Sequence, residues 1–205
     1  RALAKALQSN GRLEDALATY RSAVAAGPTA SLARFELATL LWNRDRDAEA
    51  KTLFTEILAE SPRHPKYETA QYALARIAEG DGRNDEAVVL YRRLAAEGGE
   101  SDLARDARWR LAWIPYQQGD LAAADAGFAA LGAGSVKDRA AGFYWRARVA
   151  ARRHDTDGER ALLAEVLRDS PDAYYADLAE RELGTSAPPP EPPTPLALRE
   201  PPPSV

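Results

Sequence analysis

The sequence predicts an all-α fold: a right-handed superhelix, or α-solenoid, of about five helical hairpins followed by one further helix. Three observations carry this. The first is composition. Nine of the 14 prolines in 205 residues (188, 189, 190, 192, 193, 195, 201, 202 and 203) fall in the last 21 positions, and the stretch before them is rich in the strong helix formers Ala, Leu, Arg and Glu. The second is an internal repeat. Gly11 to Tyr20, Asp45 to Phe54, Gly82 to Tyr91 and Gly119 to Phe128 each read a turn residue, an Ala five places on and an aromatic four places later. A degenerate fifth copy, His154-Asp155 leading to Leu163, brings the turn positions to 11, 45, 82, 119 and 154, separated by 34, 37, 37 and 35. The third is a second landmark, 19 residues ahead of the aromatic: Phe35-Glu-Leu-Ala38, Tyr72-Ala-Leu-Ala75 and Trp109-Arg-Leu-Ala112, with Trp145-Arg-Ala147 as a looser fourth instance.

Taken in order, the elements follow. Arg1 opens inside a helix and without Met, so the chain reads as excised from a longer protein, and its first hairpin, around Gly11, is truncated. The second hairpin runs through 31–43 and on past Asp45, with apolar residues at three- and four-residue spacing. The third and fourth repeat that pattern around Gly82 and Gly119, the fourth with Pro115 inside its first helix. Gly132-Ala-Gly134-Ser-Val-Lys137 reads as an inter-repeat loop, because it lacks the order of a phosphate-binding loop and no strand precedes it. The fifth hairpin surrounds His154, and a last helix ends at Leu183-Gly184. Gly or Asp at each turn supplies a C-cap or an N-cap, while Pro28, Pro62 and Pro171, eight residues past the second anchor, stop three of the second helices. The small Ala positions let a neighbouring ring approach closely, and stacked hairpins complete a core that no single pair can bury. Residues 1–184 therefore form the solenoid. Residues 185–205 form a proline-rich linker or tail with an extended polyproline preference, in which Pro189-Pro-Glu-Pro192 matches a docking pattern that any such composition produces by chance.

A hairpin of about 34 residues with small, small, aromatic and Pro landmarks resembles the tetratricopeptide repeat, over residues 1 to about 184. The chain departs from that pattern in its longer units, in Pro115, and in a fifth unit without the Gly and the second aromatic. A narrower resemblance covers about 138–205. Phe143-Tyr-Trp145-Arg-Ala-Arg148, a hairpin, then Ser170-Pro171-Asp-Ala-Tyr174-Tyr175 through Leu183-Gly184, running into the prolines, is similar to the superhelical region of soluble lytic murein transglycosylases. That resemblance implies a bacterial, periplasmic protein of peptidoglycan turnover, with its catalytic domain downstream of Val205 and this segment a non-catalytic scaffold. The alternative is a free-standing tetratricopeptide adaptor, cytoplasmic or in envelope assembly, that holds partner peptides in its concave groove.

No chemistry of the segment's own is legible. In the transglycosylase family the acid is a Glu in a Glu-Ser motif followed by Gly-Leu-Met-Gln; here Glu60-Ser61 and Glu100-Ser101 lack that sequel, and the chain has no Met. Ser101 or Asp102 reads instead as an N-cap. His64 and His154 sit in loops without ligands at helical spacing, and Cys is absent, so neither a metal site nor a catalytic triad is expected, nor any cofactor. No apolar run reaches the ~18 to 20 residues of a membrane span, and no basic region followed by an apolar one marks a signal peptide. A net charge of -4 gives no global case for nucleic acid.

Charge is uneven, however. Residues 102–153 carry nine Lys/Arg (105, 108, 110, 137, 139, 146, 148, 152, 153) against five Asp (102, 106, 120, 125, 138). This is either a solvated helix surface with Asp–Arg pairs or a basic lining for an anionic glycan-peptide, an acidic partner or nucleic acid. Within it, Trp109, Trp113 and Tyr116 fall at i, i+4 and i+7, one aromatic stripe with Arg105 on the same side, while Ala104, Ala107, Leu111 and Ile114 lie roughly opposite. With both faces apolar, the stripe is either buried between flanking hairpins or, by the tetratricopeptide resemblance, faces the groove. Arg105, Trp109, Trp113 and Tyr116 are thus the candidate ligand-binding residues, for a protein or peptide partner or for peptidoglycan strands.

Overall fold

The computed structural model describes residues 1–27, 30–60, 64–134 and 136–184, apart from the Lys137 side chain. Among them the helix-favouring composition folds as eleven α-helices and no strand. In chain order these are α1 (Ala2–Ser9), α2 (Leu13–Ala25), α3 (Ser31–Trp42), α4 (Asp47–Glu60), α5 (Tyr67–Gly80), α6 (Asn84–Glu97), α7 (Asp102–Gln118), α8 (Leu121–Gly134), α9 (Val136–Arg152), α10 (Thr156–Asp169) and α11 (Tyr174–Leu183). They pair as five hairpins, α1/α2 through α9/α10, with α11 as a single final helix, which is the all-α repeat fold the sequence predicts. The stops Pro28 and Pro62 and the proline-rich segment 185–205, with its Pro189-Pro-Glu-Pro192 motif, lie outside the described residues.

Every hairpin turn is built the same way. The five turn residues all take the left-handed conformation: Gly11 (φ 74°), Asp45 (57°), Gly82 (74°), Gly119 (83°) and His154 (60°). At each, the next residue's N–H donates to the carbonyl five places back, Arg12 to Leu7, Arg46 to Leu41, Arg83 to Ala78, Asp120 to Pro115 and Asp155 to Ala150, at 2.8 to 3.0 Å. That bond satisfies a carbonyl which the end of a helix would otherwise leave open. The same residue then starts the second helix, in one of two ways. In the first three hairpins it is an Arg that pairs with an acid one turn on (Arg12–Asp15, Arg46–Glu49, Arg83–Glu86). In the last two it is an Asp whose Oδ1 accepts the amide three residues on, Ala123 N at 3.0 Å and Gly158 N at 2.9 Å.

Between the helices the small and aromatic positions interlock. Ala16, Ala50, Ala87 and Ala124 are fully buried, and Tyr20, Phe54, Tyr91, Phe128 and the aliphatic Leu163 are at most 1% exposed. Burying such rings is the main stabilising term, since a truncated core aromatic costs about 3–5 kcal/mol. Gly127 serves the same end. A Cβ there would lie 2.8 Å from Ala112 Cα, so α7 and α8 approach too closely for any side chain.

The chain divides into two compact units, Arg1–Leu131 and Gly132–Val205. In the first, consecutive hairpins place their first helices (α1, α3, α5, α7) in one layer and their second helices (α2, α4, α6) in another. Ion pairs stitch each layer: Lys5–Glu36 joins α1 to α3 at 2.7 Å and Arg110–Glu79 joins α7 to α5 at 3.2 Å. In the other layer Arg21–Glu49 joins α2 to α4 and Lys51–Glu86 joins α4 to α6, both at 3.2 Å.

The second unit packs Tyr144, Ala147, Leu163, Val166, Ala176 and Ala179 from α9, α10 and α11 into one core. Two expectations are corrected here. The buried landmark of the fifth hairpin is Tyr144, 8% exposed and 19 residues ahead of Leu163, rather than the half-buried Trp145 beside it. Packing, not ring size, selects which aromatic of the pair turns inward. The predicted loop 132–137 is largely helix, since α8 runs to Gly134 and α9 begins at Val136. Its two glycines, Gly132 and Gly134, both lie in α8, and a Cβ on Gly132 would make ordinary contact with Gly142 of α9.

Candidate functional site

The first-helix layer of Arg1–Leu131 is where the predicted stripe lies. The repeat aligns Phe35, Tyr72 and Trp109; Thr39, Arg76 and Trp113; and Trp42, Glu79 and Tyr116, on α3, α5 and α7 respectively. On α7 the three aromatics form a stacked ladder. Trp109 and Trp113 lie 6.1 Å apart at 15°, and Trp113 and Tyr116 5.4 Å apart at 25°. All three are half-buried. Trp109 and Tyr116 also rest against Phe128 of α8, at 5.4 and 6.1 Å, so the ladder's two ends belong partly to the core of their own hairpin. The opposite face is also buried, with Ala104, Ala107 and Ile114 at most 2% exposed. Arg105 bonds Asp102 at 2.7 Å, one turn back.

Beside the ladder sits a polar cluster that the sequence did not reveal. Tyr72 donates its hydroxyl to Asp106 at 2.5 Å and accepts from Arg76 at 3.3 Å. Glu79 accepts from the Tyr91 hydroxyl at 2.7 Å and from Arg110 at 3.2 Å. Burial, and then these carboxylates, push both Tyr72 and Tyr91 above the usual tyrosine range, so both remain donors. The cluster crosses from α5 to α7 and fixes one first helix against the next. The only trace in the sequence is the charge of Arg76 and Glu79 at stripe positions that are apolar on α7.

Across the second unit's α9 and α11 the same device recurs. Tyr144 donates to Glu182 at 2.7 Å, and Arg148, four residues on like Arg76, reaches the same carboxylate at 3.0 Å. Burial and Glu182 raise the Tyr144 pKa to about 12.

Much of the basic excess is engaged in such pairs. Arg108 lies 3.9 Å from Glu100 and also bonds the Gly99 carbonyl, Arg110 holds Glu79 and Asp106, and Arg139 holds Asp169 at 2.9 Å. Glu100 is 83% exposed, and Glu60 pairs with Arg34. Ser101 is the N-cap of α7, accepting from Ala104 N at 3.2 Å. Among the described residues no three His, Asp or Glu side chains converge as metal ligands, and no helix is long and apolar enough to cross a membrane.

Comparison with known proteins agrees with this geometry. The chain superimposes on YrrB, a TPR protein with an unusual peptide-binding site (21% identity, TM-score 0.60, covering 87% of this chain and 88% of that one). It is likewise similar to a putative kinesin light chain of Podosopora anserina with nearly identical TPR-like repeats (23%, TM-score 0.60, 82% and 92%). A third similar structure is BtubC (BKLC) from P. vanneervenii (18%, TM-score 0.62, 97% and 85%). At these identities the likeness concerns the fold. No curated protein sequence matches. The tetratricopeptide repeat family model matches three times, over residues 1–65, 43–102 and 72–136, the stretch where the left-handed turns and buried Ala–aromatic pairs are most regular. On that repeat, matched in sequence and seen in the stacked hairpins, the chain belongs to the tetratricopeptide repeat family.

Proposed function

We propose that this chain is a non-catalytic scaffold that holds a peptide segment of a partner protein along the first-helix layer of residues 1–131, with Arg105, Trp109, Trp113 and Tyr116 as one wall. The observation that carries this reading is the layer itself. It sets an aromatic ladder on α7 beside the Tyr72, Arg76, Glu79 cluster of α5, so apolar anchors and directional polar groups occur together.

The test is a displayed peptide library panned on the whole chain. Trp113→Ala is expected to weaken the recovered peptides by about 30-fold, as for a hot-spot aromatic, with the melting temperature nearly unchanged. Val89→Ala, on exposed Val89 of α6 in the other layer, is expected to leave binding intact. Equal losses in both variants would move the site elsewhere. A large fall in melting temperature for Trp113→Ala assigns the ladder to the core.

A second reading makes the chain the superhelical part of a periplasmic lytic transglycosylase-like protein, touching peptidoglycan. Its support is the residue pattern of 143–184, in which Tyr144, Tyr175 and Gly184 hold structural positions: Tyr144 packs against Tyr175 with ring centroids 5.2 Å apart and Gly184 closes α11 at φ 69°. Co-sedimentation with purified peptidoglycan, lost in Trp113→Ala, would favour it over the peptide reading.

A further inference from the structure

A histidine sits at the joint between the second and third hairpins. His64 lies two residues ahead of Lys66, the N-cap of α5, and covers two of the amides at that helix start. Its carbonyl accepts from Tyr67 N at 2.9 Å and its imidazole Nδ1 accepts from Lys66 N at 3.0 Å. An imidazole nitrogen accepts only while it carries no proton, so this bond requires the neutral ring. One of these amides belongs to Lys66, whose side chain crosses the joint, and the other to Tyr67, which packs within the third hairpin. Lys66 Nζ lies 5.6 Å above the Phe35 ring of α3, and the buried Tyr67 ring lies 5.6 Å beneath Arg93 of α6.

We propose that His64 is an acid-sensitive latch: protonating its ring releases the first turn of α5 and loosens the second hairpin from the third. The charged groups around it are arranged for this. From α3 comes Arg34, only 12% exposed and held by Glu56 and Glu60 of α4, which places a fixed positive charge near the ring. Lys66 and the positive end of the α5 dipole act in the same sense. Glu68 of α5 and Glu97 of α6 line a cavity of about 430 Å³ with His64, Tyr67 and Gln71, and the Ser31 backbone of α3 pulls the other way. Burial and Arg34 prevail, and the imidazole titrates below the ordinary histidine range. The unfolded chain therefore binds the proton first. The latch contributes fully above about pH 6.5 and weakens as the pH falls below it.

Amide hydrogen exchange on the full chain, corrected for intrinsic rates, tests this at Lys66 and Tyr67. Between pH 7.5 and 5.5 their protection should fall about fivefold, the worth of one hydrogen bond of this kind, while amides in the middle of α2 hold. His64→Asn keeps an acceptor at a similar reach but cannot titrate, so its protection should be flat with pH. His64→Ala should be low at both ends. A flat profile in the wild type, or an equal fall in His64→Asn, overturns the latch.

Discussion

One ring position shows how a single atom decides what a residue is worth. Tyr20 and Tyr91 occupy the same place in their second helices, and both rings are fully buried. Tyr91 delivers its hydroxyl to Glu79 at 2.7 Å. In the first hairpin the place of Glu79, twelve residues ahead of the ring, falls to exposed Gln8, and the Tyr20 hydroxyl is buried without a hydrogen-bond partner. In the second and fourth hairpins the ring has no hydroxyl, and that place is aromatic: Trp42 packs on Phe54 at 6.2 Å and Tyr116 on Phe128 at 6.1 Å. A buried polar atom without a partner forfeits its hydration and gains nothing in return, whereas a bond to a carboxylate is worth about 1.5–3 kcal/mol. Tyr91→Phe should therefore destabilise by about 2 kcal/mol and strip Glu79 of a donor. Tyr20→Phe, the same change at the same repeat position, should be neutral or stabilising. Urea denaturation of the two variants compares them directly, and equal losses would show that the ring alone matters.

At the scale of elements, the turns were the most legible feature and the cross-helix contacts the least. A left-handed residue, a small residue five places on and a ring four places later are all local, so self-alignment of the sequence finds them. It found all five turns, including the two without glycine. The Tyr72–Asp106 and Tyr144–Glu182 bonds join residues 34 and 38 apart on different helices, and only packing brings them together. Likewise Gly132 reads as a turn by propensity, yet it lies in α8, because the helix continues through it to Gly134. The ladder of α7 is legible as a stripe from its i, i+4, i+7 spacing, but its contact with Phe128 is not, since that ring belongs to another helix. The turns also carry a prediction. Asp45 and His154 hold φ of 57° and 60°, where a Cβ is strained and glycine is not. Asp45→Gly should stabilise by about 0.5–1 kcal/mol, and Gly82→Ala, at φ 74°, should destabilise by about 1 kcal/mol or more. Opposite signs in thermal melts are the expected outcome; the same sign for both would show that the turn does not govern the hairpin.

For the whole molecule, stability against pH follows from the groups that hold neighbouring helices together. Glu49 and Glu86, each at the start of a second helix, have their carboxyls held below the usual range, Glu49 by Arg46 and Arg21 and Glu86 by Lys51 and Arg83, and Asp169 is lowered by Arg139. Such carboxylates stabilise above their unfolded pKa, near 4 to 4.5, and the contribution is lost as the pH falls through the folded value. The tyrosines set the other limit. Tyr144 titrates at about 10 when unfolded and at about 12 when folded, so its hydroxyl bond contributes fully below pH 10 and fades as the pH climbs to 12. Tyr72 and Tyr91, raised by the same combination of burial and a carboxylate, add to that alkaline limb. The repeat is thus stable over a broad middle range because carboxylates guard one side and phenols the other. A variant separates Tyr144 from the rest. Tyr144→Phe should be less stable than the wild type at pH 8, and the gap should shrink by about 2 kcal/mol between pH 10 and pH 12 as the wild type alone loses this bond. Urea midpoints at each pH, followed on the transition that melts α9 to α11, measure it. A gap that stays constant to pH 12 would mean that Tyr144 contributes only its ring, and that Glu182 and Arg148 hold α11 to α9 without it.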